Sequence, residues 1–101
     1  MARRKITWAP DAKAKLVGTL KFYAKRNGNK KYSEWIYFEI KRRLRMLQQF
    51  PYLGHQGSND TSRIIPFSYF GILYEVKQNE IIVLSFWDFR RDPIEREDDK
   101  R

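Results

Sequence analysis

The sequence predicts an α+β domain in the order β-α-α-β-β-β, a helical hairpin packed on a small twisted, mainly antiparallel sheet. Three observations predict it. Apolar residues recur at helical spacing in two runs between residues 10 and 50. The last third is rich in β-branched and aromatic residues, with Phe70–Val76 and Ile81–Phe86 separated only by Lys77-Gln78-Asn79-Glu80. The connector between the helical runs is short enough to make them an antiparallel pair.

Lys5-Ile6-Thr7-Trp8 alternates and is β-branched and aromatic, so it predicts a short strand. Pro10 suits a first helical position, where its missing N–H would be unpaired anyway, and Asp11 places negative charge at the helix start. Ala12, Leu16, Leu20 and Tyr23 then form a stripe that Val17 and Ala24 widen. Asn27-Gly28 ends this helix, because glycine accepts the left-handed cap. After Asn29–Tyr32, Ser33 is the expected cap of a second helix, with Glu34 in its first turn and Ile36, Ile40, Leu44 and Leu47 as its buried stripe. Trp35 lies beside that stripe, while Lys41, Arg42 and Arg45 project away from it. Phe50-Pro51 ends the helix, since the residue before proline resists helical geometry.

Residues 52–61 carry two glycines and a polar end, which predicts a loop. Ser62–Pro66 is a strand that Pro66 ends or confines to an edge. On the next strand Phe70, Ile72, Tyr74 and Val76 share one face, and Ile81–Phe86 is apolar on both faces, as an interior strand must be. The helical stripes and the strands' apolar faces need a common core, so the hairpin covers one face of the sheet and leaves the other for function. Residues 1–94 read as one domain and 95–101 as a charged, disordered tail.

Composition narrows the function. Residues 1–50 hold 14 Lys/Arg against 3 Asp/Glu, and residues 51–101 hold 7 against 9, so the whole +9 excess sits in the N-terminal half. Such a surface attracts nucleic acid, ribosomes or an acidic protein. There is no cysteine, which removes thiolate nucleophiles and disulfide frameworks, and partner ligands for a metal are wanting. No apolar run reaches signal or membrane-spanning length, so the chain reads as soluble and cytoplasmic, with no membrane partner and no cofactor. The candidate cations are Arg63, one strand earlier than the rest, and Arg90 and Arg91 at the end of the last strand. Held by strands, these three are expected as one fixed cluster for a phosphate-bearing or acidic partner, with Arg90 and Arg91 pointing to opposite surfaces. His55 reads as a solvated loop residue and Tyr74 as a core residue with its hydroxyl at an edge; Trp8, Trp35 and Trp87 are spaced like core or rim aromatics, with base stacking an alternative only for Trp87, near the arginines.

The layout is carried by particular residues. Ile6-Thr7-Trp8-Ala9-Pro10 and Ala12 open the first helix, and Leu44-x-x-Leu47-x-x-Phe50-Pro51-x-Leu53-Gly54 closes the second. Arg63, Ile72-Leu73-Tyr74-Glu75-Val76 and Asp88-Phe89-Arg90-Arg91-Asp92-Pro93 follow. Together, over residues 5–93, they resemble the RelE/ParE superfamily of toxins from type II toxin–antitoxin systems. The resemblance implies a small basic toxin neutralised by a cognate antitoxin, whose disordered, often acidic C-terminal segment wraps around it. A strongly positive N-terminal half suits such a chain independently.

Relatives that look like RelE cleave mRNA on the ribosome, and relatives that look like ParE inhibit DNA gyrase by binding. Arg63, Arg90 and Arg91 match the superfamily's arginines. The nuclease relatives add a tyrosine or histidine after the last strand, where this chain has Asp92-Pro93-Ile94-Glu95 and no Tyr or His beyond Tyr74. The ParE-like reading therefore comes first, with Lys41, Arg42, Arg45, Arg63, Arg90 and Arg91 as target- or nucleic-acid-binding residues. The alternative is a metal-independent endoribonuclease in which Arg63, Tyr69, Arg90 and Arg91 act, with Tyr74 and His55 as further proton carriers. A third reading is a degenerate member that binds only antitoxin or nucleic acid.

Overall fold

Alternation, a proline start and a glycine stop set the first two elements of the computed structural model, which describes residues 3–56 and 61–91. Strand β1 is Lys5–Trp8, helix α1 Pro10–Asn27, helix α2 Lys31–Gln49, and strands β2 to β5 are His55–Gln56, Ser62–Phe67, Phe70–Val76 and Glu80–Asp88. Gly28 caps α1 in the left-handed region at φ 73°, its N–H donating to the Lys25 carbonyl at 3.4 Å. Lys25 and Arg26 in the last turn complement the helix dipole, as Asp11 does in the first.

The start of α2 differs from the expectation. The helix begins two residues before Ser33, with the Lys31 N–H donating to Asn29 Oδ1 at 3.0 Å. Ser33 caps nothing; its buried hydroxyl donates to the Leu20 carbonyl at 2.6 Å and ties α2 to α1. The predicted loop also contains β2, a two-residue strand antiparallel to β3, so the sheet has five strands in the order β1-β5-β4-β3-β2. β1 lies parallel to β5, and the other neighbours are antiparallel. Pro66 does not end β3, which runs on to Phe67. It sits beyond the part of β3 that β2 covers, where an N–H would have no partner. Residues 57–60 of the expected loop and 95–101 of the expected tail lie outside the described residues.

Both helices pack on one face of the sheet. Ile36, Ile40, Leu44 and Leu47 meet Ile72, Ile81 and Val83 in a core where most are fully buried. Each such side chain contributes about 1.5–3 kcal/mol. On α1 the stripe is rotated from the expected one. Thr19 is fully buried while Val17 is 41 % exposed, which leaves Val17 facing the seam between the helices.

One irregularity positions the site. The β4–β5 register passes from Tyr74↔Val83 to Leu73↔Ser85, so Leu84 is the extra residue of a bulge. Before it Ile81 and Val83 face the core; beyond it Phe86 and Asp88 do. Without the bulge, Trp87 would point inward and Asp88 outward.

Candidate functional site

Beyond the bulge, β5 delivers Asp88 opposite Phe70, on the helix-covered side and fully buried. A buried carboxylate must be satisfied. The Tyr23 hydroxyl from α1 donates to Asp88 Oδ2, the Arg90 N–H donates to Asp88 Oδ1 at 2.9 Å, and the Arg90 guanidinium lies 3.7 Å from the same oxygen. Arg90 then turns back over the helices. Its Nη2 donates to the Tyr32 hydroxyl at 2.7 Å and the Tyr23 hydroxyl at 3.1 Å. Its guanidinium carbon sits 4.2 Å from the Tyr69 ring centroid, with the Tyr23, Tyr32 and Phe70 rings within 5.8 Å. Arg90 is thus flanked by aromatic faces and hydroxyls while its side chain stays 39 % exposed, a site that favours a cation.

Arg91 follows the same turn, its N–H donating to the Asp88 carbonyl at 3.1 Å. Its guanidinium stacks 4.0 Å from the Phe22 centroid and reaches the Thr19 hydroxyl at 3.4 Å. The expected opposite orientation of the two arginines fails because β5 ends at Asp88. Strand alternation does not extend into the turn, and both side chains fold onto α1. Trp87 lies across the sheet from them, packed edge-on against Phe89 at 5.7 Å, so it is no partner of the arginine corner. Asp92 and Pro93 lie outside the described residues.

Arg63 does not join this corner. It pairs with Tyr74, whereas Asp88 pairs with Phe70, four residues away on β4, which is about 13 Å of strand. The guanidinium donates instead to the Gly54 carbonyl at 2.9 Å and the Tyr52 carbonyl at 3.3 Å, and lies 5.1 Å from the Tyr52 ring. The single three-arginine cluster expected from the sequence is therefore two separate sites. Nor does either lie on the open face: Ile65 and Phe67 share Arg63's side of β3 and are buried under the helices. The Tyr74 hydroxyl is not at an open edge either. It accepts from the Gly54 N–H and donates to the Pro51 carbonyl, both at 2.9 Å. His55 is exposed on β2, opposite Ile64.

Burial and the hydrogen bond to Asp88 push the Tyr23 phenol up to about 12. Burial also raises Tyr74, against the Gly54 hydrogen bond and nearby Arg63. Both phenols are expected to ionise above the usual tyrosine range in an alkaline titration followed by phenolate absorbance. The Tyr23 pKa is raised on folding, so its contribution to stability is complete below about pH 10 and lost as pH rises towards 12. Ionisation of Tyr23 in the usual tyrosine range would show that this corner is open to water.

The helical layer carries the second feature. A groove follows the outer seam of the hairpin, from Leu20, Ala24 and Tyr37 past Val17 and Ile40 to Trp8 and Leu44. Lys13, Lys21, Lys30, Lys41 and Arg45 line its sides, with Glu34 the one carboxylate among these lining residues. Lys41 lies 5.8 Å from the Tyr37 ring centroid. Arg42 points elsewhere and, with Arg43, pairs with Glu39, which their hydrogen bonds hold below the usual carboxylate range. Sequence reasoning placed Lys41 and Arg45 on a solvated face and missed the groove, since Val17 had been assigned to the core. Tyr23 and Tyr32 were missed as site residues because their partners Asp88 and Arg90 are 65 and 58 positions away.

Among the described residues no cluster of three metal-ligating side chains occurs, and no helix is long and apolar enough to cross a membrane. Comparison with curated proteins returns no match. Among solved structures, the chain is similar to one from the chromosomal ParDE toxin–antitoxin system of P. aeruginosa. The TM-score is 0.71 at 20 % identity, covering 85 % of this chain and 96 % of that one, which is a likeness of fold. A family model described as "ParE toxin of type II toxin-antitoxin system, parDE" matches residues 6–93. Matched along nearly its whole length, the chain belongs to the ParE family of type II toxins.

Proposed function

We propose that this ParE-family toxin arrests growth by binding an essential cytoplasmic target, with DNA gyrase the first candidate. A cognate antitoxin neutralises it, the acidic C-terminal segment lying in the lysine-lined groove between α1 and α2. The ParDE pairing of the P. aeruginosa relative supports an antitoxin partner. So does the groove, whose apolar floor suits a segment that folds on binding and whose cationic sides suit carboxylates.

One observation favours binding over RNA cleavage: two hydroxyls at the arginine corner, those of Tyr23 and Tyr32, are already hydrogen-bonded within it. Tyr23 is bound to Asp88 with its phenol near 12, far above the range of a general base at neutral pH. Arg90 spends two donors on Tyr23 and Tyr32. The alternative, ribosome-dependent mRNA cleavage, rests on Tyr69, which is 53 % exposed beside Arg90.

Purified toxin should block gyrase supercoiling and leave ribosome-bound mRNA intact; codon-site cleavage without gyrase inhibition would reverse the assignment. Lys21→Glu with Lys41→Glu should slow antitoxin association and weaken its binding roughly tenfold at low salt, measured by surface plasmon resonance. Equal affinity at every salt concentration would place the antitoxin elsewhere.

A further inference from the structure

Between α2 and β2 the chain makes a tight turn that exposes three large apolar side chains in succession around Pro51. Phe50 is 58 % exposed, Tyr52 60 % and Leu53 48 %. Met46, one helical turn earlier, is 39 % exposed. Exposure of this kind has no role in the fold and is the usual mark of a binding surface.

The turn is not a loose loop. The Phe50 N–H donates to the Met46 carbonyl at 2.7 Å, and the Leu53 N–H to the Phe50 carbonyl at 3.1 Å. From beneath, the Tyr74 hydroxyl grips the Pro51 carbonyl and the Gly54 N–H, and Arg63 grips the Tyr52 and Gly54 carbonyls. Two strand residues thus fix the backbone of a segment whose side chains point into water.

We propose that the Phe50–Leu53 turn is a preformed anchor that seats in an apolar recess, rimmed by carboxylates, on the folded protein the toxin inhibits. The proposal rests on the target-binding reading above. Shape selects the occupant. A groove suits a flexible segment, which can fold to fill it, whereas a protruding aromatic pair suits a pocket already formed on a folded partner, where anchors of this kind are best desolvated. Rigidity supports the same choice, since an anchor clamped before binding loses little entropy on binding. The charge agrees, because Arg63 beneath the turn is cationic and lies 5.1 Å from the Tyr52 ring centroid. The recess therefore needs acidic edges.

The test uses Phe50→Ala/Tyr52→Ala in the full chain, with Tyr52→Phe as the conservative control. Three quantities are read: growth arrest on induction without antitoxin, gyrase inhibition, and antitoxin affinity. The double variant should lose at least about tenfold in toxic potency. It should keep its melting temperature within a few degrees and its antitoxin affinity within about twofold, while Tyr52→Phe stays close to wild type. Undiminished growth arrest by the double variant overturns the anchor whichever target is correct. Loss of antitoxin affinity alongside toxicity also overturns it, assigning the turn to the antitoxin. If wild-type toxin spares gyrase but the double variant still loses growth arrest, the gyrase assignment falls and the anchor stands.

Discussion

Asp88→Ala is expected to destabilise the fold by about 3–5 kcal/mol, because it removes the one acceptor that a buried hydroxyl, a backbone N–H and a guanidinium share. For a domain of this size that corresponds to a fall in melting temperature on the order of 15 °C or more. The carboxylate is fully buried, so the loss is not softened by water. Tyr23 would keep a phenol proton without its acceptor, and Arg90 would keep its aromatic neighbours without the charge that balances it. Tyr23→Phe should cost less, about 1–2 kcal/mol, since Arg90 can still satisfy Asp88. A thermal melt of Asp88→Ala within a few degrees of wild type would show that the network is dispensable.

The same reasoning changes how Arg90 must be tested. An Arg90→Ala toxin that fails to arrest growth has also lost two tyrosine hydrogen bonds and its stacking on Tyr69. Toxicity read without a melting curve would mistake a structural loss for a functional one. Lys41 and Arg45 carry no such burden, which makes them the better probes of the charged surface.

How legible this was in the sequence depended on which force set each feature. The two helices and the three longer strands followed from apolar period, proline and glycine, which act locally, whereas the family followed from the resemblance carried by short motifs in order over residues 5–93. Ser33 was misread because a local cap and a long-range bond to Leu20 demand the same hydroxyl, and only the fold decides between them. The arginine cluster failed for a sharper reason. Adjacency in sequence says nothing about register, and it is register that puts Arg63 beside Tyr74 and Asp88 beside Phe70. The bulge at Leu84 then exchanges the faces of Trp87 and Asp88, and an apolar run on both faces of a strand cannot signal that exchange. Phe50 read as a helix end and Tyr52 and Leu53 as loop residues, and neither reading signals that all three side chains stand exposed.

Gly54→Ala should be the second severe substitution, costing about 2–4 kcal/mol. Gly54 has no left-handed φ to defend; close approach alone requires it. A Cβ there would lie 2.8 Å from the Ile64 carbonyl oxygen and 2.8 Å from the Tyr74 hydroxyl. The carbonyl is main chain in β3 and the hydroxyl belongs to a ring with no exposed surface, so neither yields cheaply. Tyr74→Phe tests the other half of the clamp. It keeps the ring but orphans the Gly54 N–H and the Pro51 carbonyl, at about 1–3 kcal/mol. The double variant distinguishes a clash from a mere loss of contacts. Removing the hydroxyl clears part of the space the new methyl needs, so Gly54→Ala/Tyr74→Phe should cost clearly less than the two single losses together. Chemical denaturation of the four proteins measures that coupling. Strict additivity would mean that the methyl never meets the hydroxyl, and that the turn is held less tightly against β4 than its hydrogen bonds indicate.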